Sequence, residues 1–444
     1  MIRGRGERCW LRAVALALAA VGASGCTRPA ADNLLFVSFD TTRADHLSAY
    51  GYSRVTSPTV DGLAERGALF TSAYSHVPST LPAHSTMFTG LLPPQHGVRC
   101  NGKFRLPESR RTLAEILADA GFDTGAVVGA FPMAKRFGIA QGFTTYDDDF
   151  ATSALTAKRR KGRMDNPGFW IGHEFVDFER GADEVTDRAI NWLEGRKPRW
   201  FLFAHYFDAH WPYEPAEGWG PMYESPYDAE IAYADAHLGR LLDKVATMPG
   251  RTLIVFTADH GEGLGDHGEA MHNRFLYDTT IRVPLVMALD GAVQANRRID
   301  ASVGHVDLLP TVLEFLGVPV PEGLAGRSLV PLLNGGVLPA RPVYAETLVP
   351  KLERPLGIEV RAWIEAPYKL TRTETPAGER VELYNLVADP GELTDLSRSQ
   401  EGVAARMGER LATERDRLEN SAPTPESIVV DPATEARLKS LGYL

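Results

Sequence analysis

Cysteine is nearly absent from this chain. Three occur in 444 residues: Cys9, Cys26 and Cys100. The first two fall in or beside an N-terminal segment that reads as an export signal. Cys100 then lacks an intrachain partner, so a disulfide framework is excluded. Long apolar runs are lacking too. The run AVALALAAVGA (13–23) has eleven residues, against the roughly 20 that cross a bilayer. Basic residues are outnumbered 47 to 57, for a formal charge of −10. Removing the net +3 of residues 1–25 takes that to −13. Such a balance excludes a duplex nucleic-acid partner, whose phosphates need a basic face. There is no internal repeat and no dinucleotide-type glycine fingerprint. What is present in abundance is apolar residues, at 44%, ample for a sizeable core.

Arg3, Arg5 and Arg8 precede the short apolar run, and Ala23-Ser24-Gly25-Cys26 follows it. That order reads as a signal peptide over 1–25. It resembles a bacterial lipoprotein signal, which implies cleavage before Cys26, a lipid on its sulfur, and a periplasmic-side position in the cell envelope.

LLFVSF (34–39) is a continuous apolar run ending on Asp40, the pattern of a buried parallel strand. TGAVVGA (124–130), WFLFAHYFD (200–208) and TLIVFTADH (252–260) read alike. Between them, helices are predicted over 112–121, 183–195 and 224–247, the first with a Thr112/Glu115 capping box. A further helix at 305–317 is expected to break near Pro310. A basic loop occupies 155–166. Strands alternating with helices predict an open α/β sheet whose ligands sit beyond the carboxyl ends of the strands. After about residue 340 the pattern changes to short segments, 360–366, 368–374 and 380–386, which predict a small antiparallel sheet. Helices at 402–419 and 432–441 flank a linker at 421–426. The expected domains are 33–335, 340–420 and 421–444.

Asp40, Asp259 and His260 stand at the ends of two predicted strands. Two carboxylates and an imidazole suit a divalent metal, although each residue alone reads equally as a turn cap or a structural histidine. His267 and His272 follow in a glycine-rich stretch, and His205, Asp208 and His210 end another strand. Thr80 precedes a helical pattern, AHSTMFTG. It could be a helix cap. It could also be a nucleophile, since a hydroxyl becomes competent when a metal binds its oxygen or a base takes its proton. Free N–H groups of that helix would then face the transferred group.

Taken together, FVSFDTTRADHLSAYG (36–51), TLPAHSTMFTGLLPPQHGVR (80–99), YFDAHWPYEP (206–215), TADHGEGLGDHG (257–268), RVPL (282–285) and ELYNLVADPGELTDL (382–396) resemble the sulfatase branch of the alkaline phosphatase superfamily. The resemblance implies an α/β sandwich with a mostly parallel central sheet, plus a small C-terminal antiparallel sheet. It implies Asp40, Thr80, Asp259 and His260 as metal ligands, with Thr80 in the nucleophile's place. It implies that His210 contacts the transferred or leaving group, and that His272 stands near a lysine position beside the leaving oxygen.

The departures are specific. Familiar sulfatases read Cys-x-Pro-Ser-Arg and form formylglycine. Here the span is Thr80-Leu81-Pro82-Ala83-His84, and threonine does not give that aldehyde. His84 replaces the supporting arginine and joins the catalytic candidates. An imidazole ligand leans toward one manganese or zinc ion, with magnesium or calcium as alternatives. A second metal is left open, because Asp208 and His210 lack the Asp-x-x-x-His spacing of two-zinc relatives. The expected activity is hydrolysis of a phosphate mono- or diester by Thr80, on an anionic small-molecule, glycan or lipid ester. Sulfate-ester hydrolysis, phospho-group transfer and non-catalytic binding are the alternatives.

Overall fold

The computed structural model describes Met1 and residues 30–152, 179–352 and 356–428. The expected signal over 1–25, Cys26, the basic loop at 155–166 and the helix at 432–441 lie outside the described residues.

Three of the apolar runs form the heart of one sheet: β1 (Asn33–Phe39), β5 (Trp200–Tyr206) and β6 (Thr252–Ala258). Each is buried along nearly its whole length, as strands covered on both faces must be. With β2 (Ala68–Tyr74), β3 (Asp123–Val128), β4 (Thr145–Asp147), β7 (Arg282–Ala288) and β8 (Arg297–Ile299), the order is β4-β3-β5-β1-β6-β7-β2-β8, and the short β9 (Val303–Gly304) adds to β2. Only β7 runs against the rest, so the sheet is mixed but mostly parallel.

Alternate residues of each strand feed the two sides. Leu34, Phe36, Phe203 and Val255 join a core under α2 (Thr80–Thr89), α3 (Leu113–Asp119) and α6 (Leu308–Phe315). Leu35, Val37, Leu202 and Phe256 face α1 (Pro58–Arg66), α4 (Ala182–Leu193) and α5 (Pro226–Ala246). The capping box at α3 forms as expected: Thr112 Oγ1 accepts from the Glu115 N–H at 3.2 Å, and Glu115 Oε2 accepts from the Thr112 N–H at 2.8 Å. Near Pro310 the expectation is corrected. The break comes earlier, at a tight turn over His305–Asp307, and Pro310 sits in the first turn of α6. There its missing N–H would have no helical partner anyway.

The C-terminal sheet is antiparallel, in the order β10-β11-β12-β13 (Val343–Thr347, Glu359–Glu365, Tyr368–Thr375, Gly378–Asn385). It packs under α7 (Glu401–Asn420) through Trp363, Leu370, Leu383, Met407 and Leu411. No helix among the described residues is long and apolar enough to cross a membrane.

Candidate active site

Strand register builds the centre. Phe39 lies beside Ala258 on one side and Tyr206 on the other. The next residue of each chain therefore leaves the same sheet edge, which brings Asp40 and Asp259 together although 219 positions separate them. The turn after β1 is held tightly. Thr41 adopts φ +52°, an uncommon conformation for a branched residue. Its N–H donates to Asp259 Oδ1 at 3.2 Å and its hydroxyl to the Ala209 carbonyl at 2.7 Å.

His260 follows Asp259 directly. Its Nδ1–H donates to the Gly261 carbonyl at 2.9 Å, which leaves Nε2 toward the carboxylates. Nε2 is 3.4 Å from Asp259 Oδ2 and 3.8 Å from Asp40 Oδ1. α2 brings Thr80, which is the first residue of the helix and does not cap it. Four wholly buried atoms then lack a hydrogen-bond partner: Asp40 Oδ1, Thr80 Oγ1, Asp259 Oδ2 and His260 Nε2. Thr80 Oγ1 makes no bond of standard geometry, yet stands near enough to Asp40 to favour its ionised form. Asp40, Asp259 and His260 form a trio with ligand atoms all within 4.8 Å of one another.

Electrostatics agree with a cation. Burial pushes the Asp40 carboxyl up to about 7, against the opposing pull of His260. Asp259 is also raised, by burial and then by Asp40. Burial lowers His260, but Asp259 and Asp40 outweigh it and raise the imidazole. Buried carboxylates that cannot ionise comfortably, with oxygens left over, are a donor set waiting for positive charge. A single divalent metal site fits these residues.

A second trio, His84, His205 and Asp259, has the same proximity, but its imidazoles are committed. His84 Nδ1–H donates to the Thr80 carbonyl at 2.7 Å, and the Ser38 hydroxyl donates to His84 Nε2 at 3.0 Å. His205 Nδ1 accepts from the Gly129 N–H at 3.3 Å, so its Nε2–H donates to Asp40 Oδ2 at 3.2 Å. Burial lowers His84 to about 3 and His205 to about 4, consistent with neutral rings that orient Thr80 and Asp40.

Of the remaining candidates, His210 stacks on Phe207 with ring centres 4.3 Å apart and lies 5.2 Å from the His272 ring. His272 lies 4.5 Å from the His260 ring. Asp208 turns away, accepting from the Ala182 N–H at 2.9 Å. His267 stacks on Tyr277 and lines a separate cavity with Arg43, Arg282 and Glu392.

Two residues join the site that sequence reasoning missed. Glu262 is wholly buried and sits 3.2 Å from His272 Nδ1. Asn101 is 1% exposed and accepts from the Leu81 N–H through Oδ1 at 2.8 Å, which leaves its buried Nδ2 without a partner. Asn101 also corrects the expected helix-terminus donors. Leu81 N–H goes to Asn101, Pro82 has none, and Ala83 N–H bonds Ser79 O at 3.0 Å.

The sulfatase family model matches residues 32–318. The chain belongs to the sulfatase family. A model described as the C-terminal region of N-sulphoglucosamine sulphohydrolase matches residues 265–417. A Delta 4,5-hexuronate-2-O-sulfatase of Bacteroides thetaiotaomicron is 26% identical, with 96% of each chain covered. An N-acetylglucosamine-6-O-sulfatase of the same organism is 24% identical over 86% of each. Among solved structures, the phosphonate monoester hydrolase of Agrobacterium radiobacter superposes with a TM-score of 0.72, at 24% identity, covering 88% of this chain and 96% of that one. This sulfatase-family chain is a metal-dependent hydrolase of the alkaline phosphatase superfamily, acting on anionic esters.

Proposed function

We propose that the enzyme uses unmodified Thr80 as its nucleophile. The observation that carries this is the buried, unpartnered Thr80 hydroxyl among the leftover donor atoms of Asp40, Asp259 and His260. No formylglycine is involved, because threonine stands where the aldehyde precursor would be. A divalent ion held by Asp40, Thr80, Asp259 and His260 would lower the pKa of the hydroxyl and offset charge on the transferred group. Manganese or zinc suits the imidazole in that set better than magnesium or calcium.

Thr80 Oγ1, its proton already lost to solvent, attacks the central sulfur or phosphorus in line with the leaving oxygen and is returned as the same alkoxide in the second step. The Thr80 O–S or O–P bond forms as the bond to the leaving oxygen breaks. Asn101 Nδ2 donates to a non-bridging oxygen of the transferred group. His272, with His210 beside it, supplies the proton that the leaving alkoxide takes. Water then attacks the threonyl ester, giving its proton to one of these histidines, and frees Thr80. His84 serves by fixing the first turn of α2 rather than by touching the substrate.

The relatives are named as sugar sulfatases, which favours a sulfate ester as the first reading. Thr80 favours a second, a phosphate mono- or diester, since direct attack by an unmodified hydroxyl suits phosphoryl transfer. The domain division at about 335–340, export, and the lipid on Cys26 belong to the same proposal.

The test is hydrolysis of matched aryl sulfate, phosphate monoester and phosphate diester by metal-stripped protein, with one divalent ion restored at a time. A rate on one ester class that needs the ion and vanishes in Thr80→Ala supports the scheme and ranks the readings. Equal rates with and without Thr80 would overturn it.

A further inference from the structure

The glycine-rich loop after β6 has a shape with a purpose beyond closing a turn. Gly261 and Gly263 lie against backbone. A Cβ at Gly261 would come 2.0 Å from the Thr279 carbonyl, and one at Gly263 would come 2.2 Å from the Glu269 carbonyl. Those approaches let Gly261 N–H bond Thr280 O at 2.9 Å and Gly263 N–H bond Met271 O at 2.6 Å. Arg43 Nη1 adds a clasp to the Glu262 carbonyl at 3.4 Å. The folded loop thereby sets Glu262 against His272, ten residues on.

Glu262 is 0% exposed, and its Oε1 takes both the Gly263 N–H at 3.3 Å and the His272 ring at 3.2 Å. Oε1 already accepts from the Gly263 N–H, so it is the acceptor toward the ring as well, and His272 Nδ1 carries the hydrogen. That makes Nε2, on the ring edge away from Glu262, the nitrogen that exchanges a proton. The ring sits between His260 and His210, at 4.5 and 5.2 Å. A buried carboxylate behind an imidazole is the arrangement that holds tautomer and ring plane in acid–base enzymes and metal sites. Here the chain gives this to the histidine proposed to serve the leaving oxygen.

We infer that Glu262 is a positioning residue: its hydrogen bond to Nδ1–H holds His272 so that Nε2 serves the leaving oxygen. The inference rests on the donor role proposed for His272, and it makes a claim that survives without activity. In protein labelled with ¹⁵N-histidine, the neutral His272 ring, assigned by loss of its signal in His272→Gln, should be the Nδ1–H form, whose Nε2 takes from water the proton that it then gives to the leaving oxygen. In Glu262→Gln, whose side chain can turn its NH2 to the ring, the Nε2–H form should appear.

In turnover, Glu262→Gln should slow an alkyl ester with a poor leaving group about 10–100-fold and a nitrophenyl ester less than about 3-fold. KM and metal content should hold. The Glu262→Gln/His272→Gln double variant should be no slower than His272→Gln alone. Equal slowing of both esters, or additive losses in the double variant, would overturn the inference. An unchanged His272 tautomer in Glu262→Gln would overturn it without reference to the reaction. The expected tautomer shift with no leaving-group selectivity would instead count against the donor role in the proposed function. Glu262→Asp, which keeps a carboxyl, should restore the Nδ1–H form and so separates positioning from folding damage.

Discussion

Thr80→Val separates what the nucleophile position does for stability from what it does for chemistry. The hydroxyl is wholly buried, and no hydrogen bond of standard geometry reaches it. An unsatisfied buried polar atom costs about 1–3 kcal/mol. Valine has the same branching and nearly the same volume, so helix propensity and packing change little. The metal-free variant should therefore be as stable as the wild type or more so, by up to about 3 kcal/mol. For a chain this long that is a rise of a few degrees, at roughly 1–2 °C per kcal/mol. Adding the metal should reverse the order. Excess ion at about 100 times its Kd stabilises a full site by about 2.7 kcal/mol, and the variant, short of one donor, should gain less. Activity should fall by about 10⁴-fold or more, as for removal of other nucleophiles. Calorimetry with and without the ion, beside ester hydrolysis, reads all three. A metal-free variant destabilised by more than about 1 kcal/mol would mean that Asp40 already satisfies the hydroxyl. Activity kept within about 10-fold would remove Thr80 from the chemistry.

The other predictions concern burial of charge. Burial raises Asp208 to about 7 and Glu269 to about 8. Below about pH 4 both states hold these protons; between about 4 and 8 only the folded state does. Metal-free stability should thus fall as pH rises across that window, and Asp208→Asn with Glu269→Gln should flatten the slope in pH-dependent melts. Lys369 is wholly buried and pairs with Asp278 at 2.7 Å and Glu392 at 2.6 Å. Lys369→Met leaves Glu392 buried without its cation, so the urea midpoint should drop by the equivalent of about 3–5 kcal/mol; a drop below about 1 kcal/mol would show that the pair ionises only weakly.

The parts legible in the sequence were those written locally. Strands β1, β5 and β6 announce themselves because both faces are covered, so their residues are mostly apolar, and α3 announces its start through two side chains three apart. β2 does not. Thr71 and Ser72 interrupt its apolar residues, and its pairing with β7 shifts register between Phe70 and Ala73, which breaks the alternation a strand is read by. The meeting of Asp40, Asp259 and His260 was legible because they end strands that an open sheet sets side by side. Glu262 and Asn101 were not, because their roles depend on partners. One signal was available for Glu262: an acid two residues past a ligand histidine, between glycines that force close backbone approach. For Asn101 there was none, since only the bond from Leu81 N–H tells which end of its amide is spare.

The same logic of partners explains why so many imidazoles surround one sheet edge. His84, His205, His260 and His272 each have one nitrogen fixed by a specific group: the Thr80 carbonyl, the Gly129 N–H, the Gly261 carbonyl and Glu262. Fixing one nitrogen decides the other. For His84 it becomes an acceptor from Ser38, for His205 a donor to Asp40, and for His260 a donor atom facing two carboxylates. Such a lattice buries charge that the chain itself does not balance. In the metal-free protein a proton drawn to His260 Nε2 answers Asp40 and Asp259, which is why that imidazole is raised while its neighbours are lowered. A divalent ion held there would displace that proton and answer both carboxylates at once. The site's affinity for metal should therefore rise with pH through the His260 and Asp40 transitions, as proton and ion compete for the same atoms.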